Sequence, residues 1–185
     1  MGLFNKLKKE KNCNSVFRYI GELPREIKSE VKRMNKLTPK IFNIKGKNEK
    51  EIVTEINNIV DSILKTNSFP KEYSSIDDVA VALGIYYGNA ICNYYNWEWR
   101  MLGLSAESSV VSIVSPKKYY SIQPMNYMQK ILTKKNIGLD GNNDNTILLL
   151  FNMLNNIDDN PKDKKYLPLS WLIWLNLTYL IEKKK

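Results

Sequence analysis

The sequence predicts an α+β fold: one helix-rich domain over residues 13–185 with a small antiparallel sheet of about three strands. Three observations predict it. The stretches 49–66 and 76–95 place apolar residues at a 3.6-residue period. Residues 97–122 abandon that period for short alternating runs punctuated by Gly, Ser and Pro. The 185 residues are 43% hydrophobic, enough for a core and far from the composition of a disordered or disulfide-stapled chain.

The elements follow in order. Residues 1–12 form a basic amphipathic segment in which Leu3, Phe4 and Leu7 share a helical face among Lys6, Lys8, Lys9 and Lys11. Two readings apply to it: a membrane-surface or partner-docking helix, or a solubilising end. Gly2 suits myristoylation, but Lys6 stands where that motif needs Ser or Thr. Residues 22–37 read as a charged helix around Ile27, Val31 and Met34, with Pro24 in its first turn and Thr38-Pro39 ending it. Residues 40–48 connect, with a short strand at 41–44. The helix over 49–66 turns Ile52, Ile56, Ile59, Val60, Ile63 and Leu64 inward and holds Glu49, Glu51 and Glu55 near its positive end.

The helix over 76–95 is predicted to be central and to pack on 49–66. Ser75 caps it, and Asp78 completes a box-like start. Gly84 and Gly88 each cost about 1 kcal/mol relative to alanine in a helix, which calls for another element close against them. Strands are predicted at Trp97–Met101, at Val110–Val114 and at Tyr119–Ile122, in an antiparallel meander. Pro124 opens a helix to about 134 with Met125, Met128, Ile131 and Leu132 inward. Residues 138–145 are a loop, 146–157 an apolar helix, and 167–181 a closing helix. At about 16 residues, with Pro168, Ser170, Asn176 and Thr178 among them, the C-terminal stretch is shorter than the ~20 apolar residues a bilayer span needs, so no transmembrane span is predicted.

Composition excludes whole classes of chemistry. With no histidine there is no imidazole acid, base or metal ligand. Two cysteines, Cys13 and Cys92, form neither a four-cysteine zinc site nor a disulfide framework. No secretory signal is visible, so a reducing, cytoplasmic setting is expected. The net charge is +9, divided as +9 over residues 1–50, −5 over 51–110 and +5 over 111–185. Only Arg18, Arg25, Arg33 and Arg100 among the 28 basic residues are arginine, which argues against specific nucleic-acid recognition.

Each candidate site has a simpler role beside it. Asp140, Asn142 and Asp144 resemble the start of a calcium loop, but Asn145 and Phe151 occupy the positions of its glycine and its bidentate glutamate, so no metal is expected. Asp77 and Asp78 could act as paired carboxylates, yet neighbours on a helix diverge by about 100°. Glu98 and Arg100 share a strand face and explain each other as an ion pair. No Walker loop, dinucleotide fingerprint or Gly-x-Ser-x-Gly elbow occurs, and no cofactor is expected. The aromatic cluster is the main binding candidate. Tyr94, Tyr95, Trp97, Trp99, Tyr119 and Tyr120, with Asp77 and Asp78 nearby, would form a partner-binding surface wherever the rings are exposed. The alternative is that the rings fill the core.

The runs Val81-Ala-Leu-Gly-Ile-Tyr-Tyr-Gly88, Asn96-Trp-Glu-Trp99, Val111-Ser-Ile-Val-Ser-Pro116 and Ile122-Gln-Pro124 resemble a poorly characterised bacterial domain type. In that type a Leu-Gly-x-x-x-Gly helix feeds a Trp-bearing strand, and later strands end at a helix-opening proline. The resemblance covers residues 75–135. It implies an α+β fold and bacterial origin, and it carries no catalytic residue. Such domains are similar in size to immunity proteins of bacterial toxin systems, an association at the level of fold alone. The expected function is binding of another protein, with an immunity-type inhibitor as the concrete form. A small hydrolase or ligand-binding enzyme using carboxylates and tyrosines is the first alternative. A peripheral adaptor making weak contact with anionic membranes through residues 1–12 is the second.

Overall fold

The computed structural model describes residues 19–117, 120–133, 146–157 and 167–168. Its elements run β1 (Tyr19–Gly21), α1 (Arg25–Ile41), α2 (Glu49–Thr66), α3 (Ile76–Tyr95), β2 (Glu98–Gly103), β3 (Val110–Val114), β4 (Tyr120–Ile122), α4 (Pro124–Leu132), α5 (Thr146–Met153), a 3₁₀ turn (Leu154–Asn156) and β5 (Leu167–Pro168). The fold is α+β and helix-rich, as the periodicities predict. The sheet order is β1-β2-β3-β4-β5. Four strands are antiparallel rather than three, and β5 adds two residues parallel to β4.

Helix α2 has the predicted bounds and starts in a full capping box, Asn48 accepting from the Glu51 amide and Glu51 accepting from the Asn48 amide. Helix α3 also matches. Ser75 accepts from the Asp78 amide at 3.1 Å, which is the first half of such a box. Helices α2 and α3 pack together, as expected. Both end on an asparagine in the left-handed region, Asn67 at φ 50° and Asn96 at φ 58°. A short side chain that bonds locally tolerates that conformation.

Several boundaries are corrected. Helix α1 runs to Ile41, with Pro24 at its N-cap and Pro39 inside it, so Thr38-Pro39 does not end it. Ladder bonding resumes past the missing proline N–H, with the Phe42 amide on the Thr38 carbonyl. The added turn packs Ile41 and Phe42 against the core, and Phe42 stacks on Tyr73 at 5.8 Å. Burial there outweighs the local penalty of an internal proline. Residues 41–44 accordingly form a helix end and turn instead of a strand. The three-residue strand β1, too short to show alternation, pairs with β2 through Ile20 and Leu102. The closing helix does not begin at 167, because Leu167–Pro168 is strand β5. A proline suits such an edge position, since it has no amide to donate. Residues 1–12, the 138–145 loop and residues 169–181 lie outside the described residues.

The core lies between α2, α3, α4, α5 and one face of the sheet. Strand β2 places Trp99 opposite Ile113 and Met101 opposite Val111 on that face. Leu102 and Val114, both 0% exposed, form a second small cluster. Helix α3 is buried almost all round. Its glycines answer the sequence-level question. A Cβ on Gly84 would come within 2.6 Å of the Met125 Cα, and one on Gly88 within 2.5 Å of the Trp99 ring. The start of α4 and the β2 tryptophan therefore sit directly on α3. That close packing offsets the helix propensity the glycines forfeit.

Candidate functional site

The aromatic junction assembles where α3 hands over to β2. Its rings mostly serve the core. Trp97 is 8% exposed. Trp99 is half-buried and donates Nε1–H to the Asn89 Oδ1 at 2.9 Å. Tyr95 donates its hydroxyl to the Phe151 carbonyl at 2.7 Å. Tyr87 and Tyr127 donate to the Ile147 and Thr146 carbonyls. Three tyrosines thus hold the short apolar helix α5 by its backbone. Tyr94, at 38% exposed, packs edge-on against Tyr95 and tilted against Phe151, with the Lys50 ammonium 5.3 Å from its ring centre. Tyr120 is half-buried against the core, and its amide donates to the Ser115 Oγ. Tyr119 lies outside the described residues. Of the six aromatic candidates, Tyr94 is the exposed one among those described.

Burial also sets the acid-base character. Desolvation pushes the Tyr95 hydroxyl up to about 12 and raises the hydroxyls of Tyr87 and Tyr127 well above their ordinary value of 10. The Cys92 thiol is pushed up to about 12 as well, the behaviour of a core residue and the opposite of an activated nucleophile. Cys13 lies outside the described residues. The carboxyls that shift all shift down. Glu30 is lowered by its hydrogen bonds to Arg33, Glu55 by Lys47, and Glu107 by the Ser105 hydroxyl. None of these three is poised to carry a proton at neutral pH.

Asp77 and Asp78 are exposed at the start of α3 and part company there. Asp77 accepts from the Gln129 Nε2 at 2.9 Å and lines a groove of about 490 Å³. Asp78 lines a separate cavity of about 250 Å³ with Arg33, Glu72 and Tyr73. The two carboxylates face different spaces, as the helical divergence predicts. Glu98 pairs with Arg100 at 2.7 Å, also as expected, and Arg100 further engages Glu22. Among the described residues no cluster of acidic or cysteine side chains could hold a metal ion. No helix among them is long and apolar enough to cross a membrane.

The 490 Å³ groove is the feature that sequence reading missed. It opens between the starts of α1 and α3, the β2–β3 pair and α4. Its apolar lining comes from Ile27, Val81, Met101, Val110, Val111 and Met125. Val110 is 41% exposed, and Met125, predicted to point inward, is half-buried and lines the groove. Asp77, Gln123, Asn126 and Gln129 supply its polar lining. Apolar groups beside amides and one carboxylate can take up an apolar side chain of a protein or a small molecule of similar size. The signal lay in Val110-Val111 and Met125, but their convergence depends on the sheet register and on Gly84 admitting α4. No family model, no curated protein and no solved structure matches this chain.

Proposed function

We propose that this chain is a non-enzymatic protein-binding protein, with an immunity-type inhibitor of a bacterial toxin, acting in the cytoplasm, as its concrete form. The groove beside Asp77 is the observation that supports this reading. Its occupant is an apolar side chain of the partner flanked by a lysine or arginine. Met101, Val110 and Met125 offer apolar contact, and Asp77 offers a carboxylate that accepts a hydrogen bond from the neutral Gln129. Asp77 belongs to a stretch, residues 51–110, whose net charge of −5 favours a basic partner. A carboxylate-based hydrolase fits less well, since Asp77 and Asp78 serve different cavities.

The test is affinity capture from the native host with tagged full chain, followed by reconstitution with the purified partner. A stoichiometric partner whose binding is lost on Val110→Arg and weakened at least tenfold on Asp77→Lys is the expected result. Retention of the partner by both variants would remove the groove from the account. Turnover of a small substrate, abolished by Asp77→Asn, would replace this reading with the enzymatic one.

A further inference from the structure

We propose that α1 is a membrane-contact surface whose exposed basic ridge lies flat on an anionic phospholipid bilayer. This proposal stands apart from the groove. Helix α1 turns Ile27, Val31, Met34, Leu37 and Ile41 toward the protein, and all five are half-buried. Its outer side carries Arg25, Lys32, Lys36 and Lys40, all exposed. At 100° per residue these four fall within roughly 80° of the helix circumference, and at 1.5 Å per residue they extend over about 22 Å. Lys28 and Arg33 flank the line.

The four ridge residues are free of ion pairs among the described residues. The flanking Lys28 is held by Glu22 and Arg33 by Glu30. Glu26 and Glu30 sit to one side of the ridge and leave its crest uniformly positive. Lysines on this crest would otherwise repel one another, and a surface of opposite charge removes that repulsion. A continuous row on the exposed side of one helix can meet a plane of headgroups. Three of its four members are lysine, which binds phosphate as a point charge rather than through a bidentate fork. No aromatic residue lies in α1 to stack on a base, which disfavours single-stranded nucleic acid.

The sequence carries a second basic element upstream of α1. Residues 1–12, with four lysines and Leu3, Phe4 and Leu7, precede β1, and β1 leads through Glu22 directly into α1. Membrane attachment through one weak signal is marginal, while two such signals on one chain give stable attachment. The ridge supplies the electrostatic member of such a pair.

The test is co-sedimentation of the full chain with two vesicle preparations, pure phosphatidylcholine and an equal mixture of phosphatidylcholine and phosphatidylglycerol. Binding to the anionic vesicles alone, reversed by high salt, is expected. The triple variant Lys32→Gln, Lys36→Gln, Lys40→Gln should lower the partition coefficient about a hundredfold, given the contribution of each lysine near such a surface. Circular dichroism should show it folded, since all three side chains are exposed. A control with the same loss of charge off the ridge, Lys45→Gln, Lys65→Gln, Lys71→Gln, should bind close to wild type. Equal loss in both triple variants would make the effect one of net charge and overturn the proposal. So would undiminished binding by the ridge variant, binding to neutral vesicles, or a preference for duplex DNA over the anionic vesicles.

Discussion

Helices α1 and α3 are 17 and 20 residues long, yet they solve opposite problems. Helix α3 gives up its surface. Val79, Ala82, Leu83 and Tyr87 are each 0% exposed, and its glycines admit α4 and Trp99 at backbone distance. Helix α1 commits one stripe to the core and presents the other as charge. The difference shows where chemistry can reside in this molecule. A helix packed on every side by apolar neighbours fixes geometry and has no face left for a partner. The two proposed contact surfaces lie elsewhere, one where α3 begins at Asp77 and one on the outward side of α1.

The comparison breaks most readily at Leu83. Leu83→Ala in the centre of α3 should cost about 2–5 kcal/mol, read from urea denaturation, because a fully enclosed site cannot collapse around the void. A cost under about 1 kcal/mol would mean that α3 is less enclosed than described. Gly84→Ala follows. Helix propensity alone would favour alanine by about 1 kcal/mol. The added methyl meets the Met125 backbone at 2.6 Å, so a net loss of roughly 1–3 kcal/mol is expected. A stabilised variant would show that α4 can back away.

The tyrosines that fasten α5 give a pH-dependent test. Burial keeps the hydroxyls of Tyr87 and Tyr127 protonated well above the ordinary value of 10, and the Cys92 thiol above its ordinary 9.0. The unfolded chain releases these protons first, so the native state binds more protons at alkaline pH. Stability should then fall as pH rises through about 9 and more steeply beyond about 10. Tyr127→Phe should cost about 0.5–1.5 kcal/mol at neutral pH through the lost bond to the Thr146 carbonyl, and should flatten the alkaline limb. The smallest effect belongs to α1. Lys36→Ala on the exposed ridge should change stability by no more than about 0.5 kcal/mol.

Periodicity made the framework legible. Residues 49–66 and 76–95 carry strong helical patterns and appear with those bounds, as does the Val110–Val114 strand. The need for a close neighbour at Gly84 and Gly88 was also readable, because an unfavourable residue in a helix demands a reason. What escaped depended on distant partners. Pro39 reads locally as a stop, and only the packing of Ile41 and Phe42 carries α1 past it. Strand β1 has meaning only beside β2. At the candidate site, the aromatic cluster was visible as a cluster but its exposure was not. Tyr95 and Tyr87 find carbonyls more than fifty residues away in α5. The groove was invisible for the same reason, since Asp77, Met101, Val110 and Met125 come from four separate elements.

The central claim, that partners meet the groove and the aromatic junction is structural, is tested most directly by one pair of substitutions in the captured complex. Val110→Arg fills the groove wall with charge, while Tyr94→Ala removes the one exposed ring among the described members of the cluster. Calorimetric titration of the purified partner should show binding lost with Val110→Arg and within about threefold of wild type with Tyr94→Ala, a difference of less than about 0.7 kcal/mol. The reverse pattern, binding lost with Tyr94→Ala and kept with Val110→Arg, would contradict the account and return the binding surface to the aromatic cluster.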